Sequence, residues 1–175
     1  MAAEELRFER FDKRRHRREP FDCGVPELND YLKTKLHQQM RRGVTAGYVL
    51  AASDGRIAGY VTLSAGELPI GVIPAGHGFP SVLPLPTTLI GRLAVDQRNQ
   101  GQGRGGDLLV HAIRVAVRTA EQVASAVIEV DALSEPARRF YARYGFARLP
   151  DEERHLYLPM ADAKLLVEKV FGPGH

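Results

Sequence analysis

The feature that most constrains this chain is a glycine-rich turn, Gln100-Gly101-Gln102-Gly103-Arg104-Gly105-Gly106, set between an apolar run ending at Val95 and an amphipathic segment opening at Asp107. Four glycines fall within six residues here. Glycine adopts positive φ without steric cost and lets the backbone approach a ligand closely. A helix start presents unpaired N–H groups and partial positive potential, and both attract phosphate. Strand, glycine loop and helix in this order therefore point to a phosphate-bearing ligand rather than a merely flexible turn. A nucleotide-hydrolase loop would need Lys-Ser or Lys-Thr after the glycines, and neither follows. Gly101, Gly103 and Gly106 do fit the dinucleotide spacing G-x-G-x-x-G, with Asp131 standing where a ribose-binding acid would lie. Against that option, the glycines come several polar residues past the strand, and about 70 residues remain after them, too few for a complete doubly wound sheet.

The rest of the chain reads as a mixed α/β order. A first strand is expected over 6–11 and a helix over 26–42, where Leu28, Leu32, Leu36 and Met40 recur every four residues behind Pro26. Strands 46–52 and 57–63 flank Ser53-Asp54-Gly55-Arg56, a hairpin signal. Residues 66–86 hold five prolines and four glycines, which excludes regular helix or central strand and suggests either a cleft border or a surface insertion. Strand 87–95, helix 107–120, strand 126–130, a helix opened by Pro136, strands 146–149 and 155–158, and a short C-terminal helix around Leu165–Phe171 complete the pattern. At 175 residues the chain suits one domain spanning 1–175. No apolar run approaches the roughly 20 residues a membrane span needs, the N-terminus lacks a secretory core, and Cys23 is the single cysteine. A cytoplasmic protein is expected. The six histidines show no metal-site spacing, so no metal is expected.

Two motifs carry a family resemblance. Arg92-Leu93-Ala94-Val95-Asp96 followed by residues 100–105 resembles the acetyl-CoA signature R/Q-x-x-G-x-G/A of the GNAT N-acetyltransferases, with Gln100, Gly103 and Gly105 at its fixed positions. Downstream, Ala137-Arg138-Arg139-Phe140-Tyr141-Ala142-Arg143-Tyr144-Gly145-Phe146 resembles that family's A-x-x-F-Y-x-x-x-G-F element. The resemblance implies a GNAT-like mixed α/β fold: a central, mostly antiparallel twisted sheet with one splayed parallel strand pair, flanked by helices. It also implies acetyl-CoA as cosubstrate. Leu93, Ala94 and Val95 would border the pantetheine arm, and Gln100, Gly101, Gln102, Gly103, Arg104, Gly105 and Gly106 would hold the pyrophosphate. Ser134 stands where many relatives place a cofactor-contacting asparagine. Tyr141 matches the general acid beside the sulfur, a role suited to a phenol that stays protonated at neutral pH. The Val95 amide would serve as oxyanion donor.

Strand 87–95 contains no Asp, Glu or His, so the general base is expected elsewhere, with Glu129 and Asp131 nearest and Asp131 alternatively structural. The absence suits an acceptor whose amine is already largely neutral; a free α-amine titrates near about 7.7–8.0, a lysine near about 10.4. A third resemblance narrows the acceptor. Phe21-Asp22-Cys23-Gly24-Val25-Pro26-Glu27-Leu28-Asn29-Asp30-Tyr31-Leu32 resembles the opening F-x-C/S-G-x-x-x-L-D/N-x-W/Y-L of GNAT toxins from bacterial toxin–antitoxin pairs. That resemblance implies acetylation of the α-amine of aminoacyl-tRNA, inhibition of translation and a ribbon-helix-helix antitoxin as partner. A homodimer is a separate expectation. The basic run Lys13-Arg14-Arg15-His16-Arg17-Arg18 agrees with a phosphate contact, although short charge runs are commonly solvated loops. A small-molecule or protein amine is the alternative acceptor, and a CoA-binding module without catalysis the alternative class.

Overall fold

The computed structural model describes residues 3–150 and 152–174. The strands are β1 (Leu6–Arg10), β2 (Ala46–Ala52), β3 (Ile57–Leu68), β4 (Leu85–Val95), β5 (Val127–Asp131), β6 (Ala147–Arg148) and β7 (His155–Pro159). They form one sheet in the order β1-β2-β3-β4-β5-β7-β6. Four neighbouring pairs are antiparallel, and β4 with β5 is parallel. The expected mixed α/β class, mostly antiparallel with one parallel pair, is the class observed. Parallel pairing runs from Thr87↔Val127 to Ile90↔Val130, whereas β4 continues to Val95. The last five residues of β4 thus extend beyond the pairing with β5. By compactness the chain divides into two units. One comprises residues up to Ser64 with Gly91–Ala112, the other Ala65–Ile90 with residues from Ile113 onward.

In the first unit the helical stretch expected over 26–42 is interrupted. Helix α1 (Pro26–Asp30) passes into a π turn (Tyr31–Lys35) and then α2 (Leu36–Arg41). The reason lies in the four-residue spacing of its apolar positions. An α-helix turns about 100° per residue, so each four-residue step drifts about 40° around the axis. The wider turn, closed by Leu36 N–H donating to the Tyr31 carbonyl, rotates less per residue and takes back much of that drift. Leu32 and Leu36 are consequently fully buried against Val49, Ala51 and Tyr60, and Leu28 and Met40 pack on the same cluster. Cys23 lies in this cluster as well, and burial pushes its thiol pKa up.

In the second unit the core is Leu68, Leu85, Val127, Leu149 and Tyr157. The proline- and glycine-rich segment is partly strand, contrary to expectation: β3 runs on to Leu68, and β4 begins at Leu85. Pro86 is accommodated because its carbonyl, not its missing N–H, is used, accepting from Ala126. Between the strands, Val72, Ile73 and Phe79 pack on the core, and the Tyr157 hydroxyl lies 3.2 Å from His77 Nε2. The segment is therefore anchored rather than a free insertion. Helix α4 (Glu135–Ala142) follows β5, and α5 (Met160–Phe171) is five residues longer at its start than expected. No helix among the described residues is long and apolar enough to cross a membrane.

Candidate active site

Helix α3 (Arg104–Ala120) begins three residues earlier than its apolar periodicity indicates, so Gly105 and Gly106 form its first turn. Apolar periodicity registers side chains that pack, and the glycines at the helix start have none to register. The first intrahelical bond is Asp107 N–H to the Gly103 carbonyl at 3.1 Å, which leaves the amides of Arg104, Gly105 and Gly106 without helical acceptors. Gly101 and Gly103 have φ of +74° and +77°, and a Cβ on either would meet nothing within 4 Å. Conformation, not crowding, demands glycine at both. Arg104 pairs with Asp107 at 3.2 Å, yet its buried Nε has no acceptor. A turn of open amides with an unsatisfied guanidinium N–H fits an anionic group such as a pyrophosphate.

Gln100 behaves differently from the glycines beside it. Its amide donates to the carbonyls of Val95 (2.9 Å) and Cys23 (3.1 Å), so it braces the turn. Gln102 likewise donates to the Arg98 carbonyl at 3.2 Å. The bracing continues through Asp96, only 1% exposed, which accepts from Arg98 N–H, Arg98 Nε and Asp22 N–H within 3.0 Å. Burial raises the Asp96 pKa, but these donors outweigh it and hold the carboxyl below the usual range. Asp22 in turn accepts from Gly24 N–H and Asn29 Nδ2. The segment around Phe21–Gly24 is thus the buttress of the turn, a role that sequence spacing alone does not disclose. On β4, Ala94 is buried, and Leu93 and Val95 are half-buried.

In the second unit, Tyr141 lies in the last turn of α4 and is 6% exposed. Its ring meets Phe140 and Phe146 edge-on at 5.1 and 5.6 Å. Its hydroxyl has no hydrogen-bond partner among the described residues, and burial pushes the phenol pKa well up. Such a phenol stays protonated and keeps its proton available. Ser134 caps α4, its Oγ accepting from Ala137 N–H at 3.2 Å. Glu129 is half engaged: Oε1 lies 3.0 Å from His155 Nε2, and Oε2 is buried without a partner. His155 Nδ1 meets Glu152 at 2.7 Å and approaches Asp131 at 3.8 Å. Burial disfavours the charged ring, but these carboxylates outweigh it and raise the His155 pKa.

The basic run does not act as a block. Arg15 pairs with Glu9, Arg17 with Asp54, and Arg18 donates to the Lys33 carbonyl. His16 is buried against Glu9 at 2.7 Å. Lys13 instead joins Arg10, His37 and Arg41 around a cavity of about 560 Å³ that Glu9, Asp12 and Arg15 also line, beside a second of about 510 Å³ lined by His37, Arg41 and Arg42. Partial desolvation, with the charges of Lys13 and Arg41, holds the His37 pKa below its ordinary value.

Comparison with known proteins agrees with this arrangement. Residues 9–146 match the acetyltransferase (GNAT) family. A tRNA-acetylating toxin of Mycobacterium tuberculosis is 35% identical over 147 residues, covering 84% of this chain and 88% of the relative. AtaT complexed with acetyl-methionyl-tRNAfMet superposes with a TM-score of 0.85 at 31% identity, over 93% of this chain and 99% of that one. A tyrosine-to-phenylalanine mutant of AtaT, bound to the C-terminus of the antitoxin AtaR and to acetyl-CoA, gives 0.80 at 29% identity, over 92% and 97%. With the open α3 amides and the family's match across most of the chain, the conclusion is direct: this chain belongs to the GNAT family of acetyltransferases.

Proposed function

We propose that the chain, acting as one domain in the cytoplasm, transfers an acetyl group from acetyl-CoA to the α-amine of an aminoacyl-tRNA. The observation that carries the acceptor is the grouping of Lys13, Arg41 and Arg42 around the two neighbouring cavities, where backbone phosphates would find three cations together. The likeness to a tRNA-acetylating toxin and to a tRNA-bound AtaT supports the same reading. In the transfer, nitrogen gives up one proton to water, sulfur gains one from Tyr141, and water returns a proton to the phenolate. Bound acetyl-CoA supplies an activated thioester. Gly101, Gly103, Gly105 and Gly106 would present amides to its pyrophosphate, with Arg104 Nε adding a donor, while Gln100 and Gln102 keep the turn in shape. Leu93, Ala94 and Val95 would border the pantetheine, with the Val95 N–H facing the carbonyl oxygen as its charge develops. Tyr141 would donate its proton to the leaving sulfur. Ser134 would contact the cofactor through its remaining O–H while it caps α4.

No carboxylate lies on β4, and Glu129 on β5 has one oxygen held by His155 and the other buried without a partner. An acceptor amine that is largely neutral near pH 8 fits these limits. An antitoxin of the ribbon-helix-helix kind and a second copy of the chain are the protein partners this reading carries. Incubation with labelled acetyl-CoA and total tRNA tests it. Label should enter charged tRNA and be absent from deacylated tRNA; label on polyamines or proteins, with charged tRNA unmodified, would refute it.

A further inference from the structure

Arg92 is the only charged residue of β4, and it immediately precedes Leu93–Val95. Its guanidinium carbon sits over the ring of Tyr31, the first residue of the π turn, 3.6 Å from the ring centroid, a separation that suits stacking. Tyr31 is itself held rigidly. Its hydroxyl meets Gln39 Oε1 at 2.7 Å, and its ring stacks on Tyr60 at 6.4 Å with 16° between planes. Tyr60 is fixed by a 2.7 Å bond from its hydroxyl to the Leu28 carbonyl and by the edge of Phe21 at 5.6 Å. Phe21, Tyr60, Tyr31 and Arg92 thus form one pile, capped by a cation.

Stacking uses the face of a guanidinium and leaves its edge, where the five N–H groups lie, unspent. Among the described residues Arg92 makes no ion pair and no side-chain hydrogen bond. The nearby acids are elsewhere: Asp30 faces Lys35 at 3.9 Å, and Asp96 is taken by Arg98 and Asp22. A half-buried arginine with a fixed plane and an unfilled edge is preorganised for a planar oxyanion fork.

We infer that Arg92 binds a phosphate of the acceptor, positioning the terminal nucleotide that carries the reactive aminoacyl group. This rests on the aminoacyl-tRNA reading above. The shared chemistry is phosphate: the cofactor's pyrophosphate would take the α3 amides, and the acetyl-CoA arm of the test below separates an acceptor phosphate from the cofactor's remaining 3′-phosphate. The π turn then has a functional consequence, because it sets the plane of Tyr31 and through it the plane of the guanidinium.

The test compares Arg92→Gln and Arg92→Lys in the full-length enzyme on charged tRNA and on a 3′-aminoacyl-adenosine, which carries the same amine and no phosphate. Arg92→Gln should raise KM for charged tRNA by about 10–100-fold, the weight of a charge-assisted fork, with kcat little changed. KM for the phosphate-free acceptor and the calorimetric acetyl-CoA Kd should stay within about twofold on the same grounds. Arg92→Lys should recover only part of the loss, since lysine keeps charge but not the fork or the stack. Equal loss on both acceptors would assign Arg92 a purely structural role, and weakened acetyl-CoA binding would make the phosphate the cofactor's. Either overturns the inference, as does an unaltered KM. Wild-type enzyme that acetylates no charged tRNA would instead refute the acceptor reading, and this inference with it.

Discussion

Replacing Gly103 by alanine isolates what the backbone of the pyrophosphate turn contributes. A Cβ at this position meets nothing within 4 Å, so no clash contributes. What remains is the cost of holding an L-residue at φ +77°, about 1–2 kcal/mol. That cost is divided between two measurements. If the mutant turn keeps its shape, the free protein is destabilised and its Tm falls by about 2–8 °C, at about 2–4 °C per kcal/mol for a chain of this size. If the turn relaxes, acetyl-CoA binding must restore the shape, and the Kd rises by about 5–30-fold. The two losses should sum to about 1–2 kcal/mol however they divide. Gly103→Asn should lose less, because asparagine tolerates the left-handed region. Gly103→Asp should lose at least about fivefold more affinity than Gly103→Asn, since its charge would face the pyrophosphate. Calorimetry with acetyl-CoA and thermal denaturation provide both quantities. Wild-type Tm together with wild-type Kd for Gly103→Ala would refute the reasoning. So would equal affinities for the Asp and Asn variants.

Tyr141→Phe should leave acetyl-CoA affinity unchanged and lower kcat by about 10²–10⁴, the usual weight of a general acid; a loss of only a few-fold would reduce Tyr141 to packing. In wild type, kcat/KM should rise through the acceptor amine's titration near about 8 and fall only above the ordinary phenol value of about 10, because burial raises the Tyr141 pKa and the acid form is the active one; an alkaline limb below pH 9 would contradict this. Replacing Lys13, Arg14, Arg41 and Arg42 by alanine should flatten the salt dependence of tRNA binding, by about 0.7–0.9 in log–log slope for each phosphate that the protein no longer neutralises. Arg15→Ala with Arg17→Ala should change it little, since Glu9 and Asp54 already engage those side chains. Asp96→Ala should cost about 2–3 kcal/mol of stability, because its charge-assisted bonds disappear. The folded-state pKa of Asp96 is lowered, so its contribution is present above the ordinary carboxylate range and fades as pH falls through the lower folded value. The Tm gap between wild type and Asp96→Ala should therefore close in acid, and a gap that persists would refute the assignment.

The sequence by itself determined the parts of this protein that depend on local chemistry. The glycine run permits positive φ, and Gly101 and Gly103 have it. The hairpin of β2 and β3, the apolar face of α3 and the Phe140-Tyr141 pair were legible because turn residues, periodicity and motif order are properties of neighbouring positions. The helix stripe at Leu28, Leu32, Leu36 and Met40 was legible too, but the π turn that keeps it aligned was not, because only the packed cluster against β2 and β3 rewards the correction.

Tertiary structure decided everything that depends on residues distant in the chain. Asp96 reads as an ordinary turn acid, yet it is buried against Asp22, 74 positions away, and that contact braces the turn. Gln100 matches a cofactor motif, yet spends its amide on two carbonyls. The run 13–18 reads as one patch of charge, but the acids Glu9 and Asp54 and the carbonyl of Lys33 divide it, and the free cations regroup with His37 and Arg41 from α2. Charge along a sequence counts ions; only folding determines which of them still have a partner to find.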